Sequence, residues 1–177
     1  MTVQSVTKLD AATRQLREAI RLYFHDAEPL AVLTVAGAAH GLLRDLSKLT
    51  GQVRTAQTDN EALVRKGVND AKNFLKHADL DPESLLTFNT DWTDYLLYDA
   101  IPMHMRLARE LIWENIVFLI WVTAKYPMLS VLDNMAADAI YRLRREFPKL
   151  GSANVQKQTF LTVLSAGPNA NERPKQP

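Results

Sequence analysis

Residues 7–24 read TKLDAATRQLREAIRLYF, and this stretch decides the fold class. Leu9, Ala12, Leu16, Ala19, Ile20 and Tyr23 recur at spacings of three and four, which marks one face of a helix. Arg14, Arg17, Glu18 and Arg21 fall on the other side. Thr7, with Asp10 three residues on, gives a capping-box pattern that starts the helix. His25-Asp26-Ala27-Glu28 breaks it, and Pro29 suits the first turn of a second helix, where its missing N–H is not needed.

The second predicted helix, about Pro29 to Leu49, is apolar nearly all round from Leu30 to Ala39, so burial against several neighbours is expected. Gly37, Ala38 and Gly41 leave little side chain on one side, which in water marks close helix packing, although each glycine costs about 1 kcal/mol of helix propensity. Val32, Val35, Ala39, Leu42, Leu46 and Leu49 are the expected core stripe, and Gly51 is the expected stop. After a polar connection, Thr58-Asp59-Asn60-Glu61 opens a third helix to about Asp79, with Val64, Val68, Ala71, Leu75 and Ala78 inward. Asp79-Leu80-Asp81-Pro82 ends it.

Thr90 and Asp91 open a fourth helix with Leu96, Leu97 and Ile101 inward. Pro102 should kink or end it, so the pattern allows either one long kinked helix to Lys125 or a separate helix from about Arg109. A last helix is predicted over about Leu129 to Phe147, and Thr159 to Leu164 is apolar enough to dock as a short segment. Ala166 to Pro177 is rich in glycine, proline, asparagine and charge, for which disorder is the expectation. The predicted architecture is all-α: an up-down bundle of about five or six helices in a single domain over residues 1–165, with a polar tail over 166–177.

Composition narrows the function classes. The 47% hydrophobic and 23% charged shares are those of an ordinary globular chain. The absence of cysteine excludes disulfides, thiolate metal sites and cysteine nucleophiles. A formal net charge of +1 excludes a protein that coats nucleic acid by bulk charge, and no DNA partner is expected. Met1 to Thr7 has no signal-peptide pattern, and the most apolar window, Ile116 to Ala124, falls well short of the roughly 20 residues that span a bilayer. A cytoplasmic location without membrane contact is the expectation.

No Glu-x-x-His, His-Glu-x-x-His, phosphate-binding glycine loop or nucleophile elbow is present. Neither a cofactor nor a metal is expected, a bundle metal site drawn from His25, His40, His77 and His104 remaining as an alternative. His40 reads as a buried histidine bonded to a neighbour, His25 as a cap or solvated residue, and His104 as a turn marker after Pro102. Asp99, in an apolar stretch, must be paired or partly protonated if buried, facing His77 or an arginine, or else lie on the surface. Trp113, Phe118 and Trp121 read as core or dimer surface rather than a base-stacking platform.

The segment Lys72-Asn73-Phe74-Leu75-Lys76-His77-Ala78-Asp79 carries the strongest chemical signal. Asn73 and His77 are four apart, and Asp70 joins them on a helix face that is not the predicted buried stripe. A neutral imidazole can take the 2′-hydroxyl proton of RNA, an imidazolium can protonate the leaving oxygen, and a lysine can hold the phosphate.

An all-α bundle with an Asn-x-x-x-His pair near the end of a central helix resembles the HEPN superfamily (higher eukaryotes and prokaryotes nucleotide-binding). It is also similar to a group of bacterial proteins carrying an Asn-Phe-x-Lys-His-Ala-Asp string, here Asn73 to Asp79. The resemblance covers about residues 7–126. It implies a homodimer with two sites face to face, and an RNA or protein partner. In nuclease members of that superfamily the polar residue and histidine follow an arginine, so the resemblance gives Lys72 the phosphate contact, Asn73 the orienting role and His77 the acid–base role. Lys72 keeps the charge but lacks the planar fork of arginine, which departs from the nuclease pattern and favours a non-catalytic binding module.

Overall fold

The computed structural model describes residues 3–51, 61–76, 79–126, 141, 145 and 157–167. Among them the structure is all-helical, without strands: α1 Lys8–Phe24, α2 Pro29–Leu49, α3 Glu61–Lys76, α4 Trp92–Ala108, α5 Trp113–Lys125 and α6 Lys157–Ala166. Of the helix predicted over Leu129 to Phe147 only Tyr141 and Arg145 are among the described residues, and the tail beyond Gly167 lies outside them.

Helix α1 forms as its pattern requires. The Asp10 amide donates to Thr7 Oγ1 at 3.0 Å and the Thr7 amide donates back to Asp10 Oδ2 at 3.2 Å, closing the capping box. These bonds hold the Asp10 carboxyl below its ordinary pKa. Ala12, Leu16, Ala19, Ile20 and Tyr23 are buried. Pro29 opens α2, with Glu28 accepting from the Ala31 amide at 2.8 Å. Gly51, at φ +68°, follows the cap residue Thr50 in the left-handed conformation that glycine adopts without a Cβ clash.

Two predicted stripes need correction. In α2 the buried face is Val32, Leu33, Ala36, Gly37, Ala39, His40, Leu43 and Ser47, rotated by about one residue from the expected one, and Leu49 is exposed. A helix apolar nearly all round has no contrast to set its phase, so its neighbours decide which side is innermost. In α3, Val68 and Ala71 are buried as expected, but Leu75 is half-exposed.

The fourth and fifth helices settle the alternative left open by Pro102. Helix α4 passes through Pro102 and ends at Ala108, and Arg109 at φ 52° turns the chain before α5 starts at Trp113. Proline inside a helix costs about 3 kcal/mol. Burial of Ile101, Met103 and Met105 around it, each contributing roughly 1.5–3 kcal/mol, outweighs that cost.

Side-chain contacts give the direction of each helix. Thr13 meets His104 and Tyr23 meets Asp94, so α1 and α4 are antiparallel. Helices α1 and α2 form an antiparallel hairpin through residues 25–28, so α2 and α4 run the same way. Asn115 meets His104 and Lys125 meets Asp94, which sets α5 antiparallel to α4. The segment expected to dock does so as α6: Phe160 stacks on Phe24 with ring centroids 5.7 Å apart and meets Trp121 edge-on at 5.3 Å. Tyr23 and Phe118 complete this aromatic cluster. It joins α1, α5 and α6, and places Phe118 and Trp121 in or against the core rather than on a stacking surface.

Among the described side chains, α3 docks through Gly67, Val68 and Ala71. Gly67 lies flat under the Trp92 ring, and a Cβ there would overlap the indole. Gly67→Ala therefore sets about 1 kcal/mol of gained helix propensity against roughly 1–3 kcal/mol of overpacking. Net destabilisation is expected in chemical denaturation of the wild type, turning to a gain of about 1 kcal/mol when Trp92 is also replaced by alanine. Equal effects in both backgrounds would show that the ring does not constrain position 67.

Candidate functional site

The bundle interior holds three polar centres, each built across helices. In the first, His40 Nε2 on α2 donates to Asp99 Oδ2 on α4 at 2.7 Å, with both side chains buried. The expected neighbour of His40 is thus a carboxylate 59 positions away, and Asp99 is paired as a buried carboxylate must be. Burial, then the Asp99 charge, raises the pKa of the adjacent Tyr98 hydroxyl.

The second centre surrounds His104, which is fully buried in α4 and is not a turn residue. The Thr13 hydroxyl donates to the Leu9 carbonyl at 2.9 Å, so its oxygen must accept from His104 Nε2, 3.0 Å away. That leaves Nδ1 as the lone-pair nitrogen, and Asn115 Nδ2 donates to it at 3.3 Å. The ring is the neutral Nε2–H tautomer. Burial, assisted by the Arg17 charge, pushes its pKa down to about 4. Beside it Arg21 donates through Nε and Nη2 to Glu114 Oε1, at 3.1 and 2.7 Å, and Arg17 lies 3.5 Å from the other Glu114 oxygen.

The third centre is Asp94, buried at the start of α4. Lys125 Nζ donates to it at 2.6 Å and the Tyr126 hydroxyl at 3.0 Å. The Tyr23 hydroxyl also bonds to Asp94, and accepts from Trp121 Nε1 at 2.9 Å. Burial and Asp94 together raise the Tyr23 pKa, so the phenol stays protonated. Burial opposes the Lys125 charge, but the bonds to Asp94 and Tyr126 outweigh it and the lysine pKa is raised.

The residues with the strongest sequence signal lie elsewhere. Asn73 is exposed on α3, and Asp70, on the same outward side, pairs with Lys66 at 2.8 Å. Lys72 belongs to α3, but its side chain is outside the described residues, as is all of His77. His25 caps α1 and is exposed. Among the described residues no three His, Asp or Glu side chains converge as a metal site, and no helix is long and apolar enough to cross a membrane.

Chemically, the three interior centres are interhelical clamps. Both nitrogens of His104 are used internally, and His40 binds a carboxylate at a packed helix interface. No pattern in the sequence points to these pairings, because each joins residues on different helices, eleven or more positions apart. No protein family, characterised protein or solved structure matches this chain.

The His104 centre has a defined pH signature. The unfolded imidazole titrates near 6.5 and the folded one near 4, so between these values the unfolded chain binds more protons. This contribution is complete above about pH 6.5 and is lost as the pH falls towards 4, amounting to roughly 3 kcal/mol. Urea denaturation from pH 7 to 4 should show a steeper loss for wild type than for His104→Gln, which cannot titrate. Parallel profiles would show that His104 protonates freely inside the fold.

Proposed function

We propose that this chain is a cytoplasmic, non-catalytic helical binding module, similar to HEPN-superfamily bundles, that pairs with a second copy through the outer face of α3. The observation that carries this reading is the contrast between interior and α3. The buried histidines are engaged in clamps between helices, whereas among its described side chains α3 buries Gly67, Val68 and Ala71 and turns Asn69, Asp70, Asn73 and half-exposed Leu75 outward. A face that mixes amides, an ion pair and an exposed leucine suits a modest, polar-rimmed interface. RNA or a protein is the expected partner of the pair.

A second reading is a metal-independent ribonuclease with Lys72 on the phosphate, Asn73 as orienter and His77 as acid and base. The exposure of Asn73, four positions before His77, favours it over any chemistry in the interior.

Two measurements on the full chain separate these readings. Light scattering is expected to give a dimer for wild type and a monomer for Leu75→Glu with unchanged helical content; a wild-type monomer defeats the pairing. Metal-free incubation with mixed cellular RNA is expected to leave the RNA intact for both wild type and His77→Ala. Cleavage by wild type that falls at least a hundredfold in His77→Ala replaces the binding module with the nuclease.

A further inference from the structure

Two arginines in this bundle meet a carboxylate through the edge that carries Nε and Nη2. Arg21 directs Nε and Nη2 at one oxygen of Glu114, and Arg44 directs the same two nitrogens at Asp45 Oδ1, both at 3.1 Å. Arg106, in the last turn of α4, has the same edge buried, but neither its Nε nor its Nη2 has a hydrogen-bond partner. Among the described residues no ion pair reaches it. A guanidinium cannot relieve this by losing its proton. Its placement at a helix C-terminus is favourable but supplies no acceptor for the two enclosed donors.

A second orphan belongs to the same helix interface. Ser47 Oγ on α2 is buried and also has no hydrogen-bond partner. Helices α2 and α4 run in the same direction and touch at His40 and Asp99. Ser47 stands seven residues beyond His40, and Arg106 seven beyond Asp99. Seven residues are nearly two full turns, so both return to the face that meets the other helix. A donor fork and a hydroxyl without partners at the same level of one interface call for an acceptor from outside the chain.

We propose that this end of the α2–α4 interface is an oxyanion-binding subsite, where the Arg106 fork takes two oxygens of a carboxylate or phosphate group and the Ser47 hydroxyl donates to it. The chemistry shared by the two ligand types is a pair of anionic oxygens spaced to match the guanidinium edge. The subsite uses Ser47 on α2 and Arg106 on α4, and none of the residues of the proposed α3 interface. Helix α3 reaches α4 at Trp92, 14 residues before Arg106 and so roughly 20 Å away along the helix.

The test is thermal unfolding and calorimetric titration of the full chain with sodium phosphate or sodium acetate, against sodium chloride at matched ionic strength. A saturable rise in melting temperature is expected with at least one of the two, and the tighter one identifies the ligand type. Arg106→Lys, which keeps the charge without the fork, should weaken that binding at least tenfold, and Ser47→Ala several-fold. Arg106→Met should abolish it and melt higher than wild type in chloride alone, because an uncompensated charge is replaced by an apolar side chain of similar reach. The proposal is overturned if neither anion gives a saturable shift, or if Arg106→Lys responds as wild type does. It is equally overturned if Arg106→Met melts lower in chloride, which would mean the fold already satisfies the guanidinium.

Discussion

The antiparallel register of α1 and α4 governs the rest of the structure. It is tied at both ends by polar bonds: Tyr23 to Asp94 at one, Thr13 to His104 at the other. Apolar packing alone rewards any register that keeps Leu16 and Ile20 covered, and a helix can slide by a turn at little cost in buried area. A slide of one turn here would leave Asp94 without Tyr23 and His104 Nε2 without an acceptor. Each stranded group costs about 1–3 kcal/mol or more, so the polar pairs select one register among several that hydrophobicity would accept. Helix α5 follows from the same choice, since Lys125 and Tyr126 complete Asp94 while Asn115 completes His104.

The local features of the bundle were legible in the sequence. The Thr7–Asp10 box, the Pro29 start and the Gly51 stop are decided by residues within one turn of each other, and all three occur as expected. Features that depend on distant partners were not. The phase of α2 is set by what packs around a helix apolar on every side, and the passage of α4 through Pro102 is decided by the burial of its neighbours. Both lie outside what helical periodicity records.

The same division runs through the site residues. Spacing alone placed Asp70 and Asn73 outward on α3, as they are. Burial of His40 beside a hydrogen-bonding neighbour was also readable, though its partner Asp99 was not. His104 reads as a turn marker because Pro102 stands two positions before it, yet α4 continues through both. Arg106 carried no signal at all: in a sequence, an arginine near a helix end reads as a favourable dipole partner, and only the fold reveals that its donor edge is enclosed without an acceptor.

The docking of α6 bears on the order in which the chain emerges during synthesis. Phe160 fills the space against Phe24 and Trp121, and Lys157 reaches Tyr23 across 134 positions of sequence. A ribosome adding roughly 5–20 residues per second makes α1 and α5 available seconds before α6 exists. Throughout that interval Phe24 and Trp121 lack the Phe160 ring that packs on them, and the docking of α6 is the step that covers them.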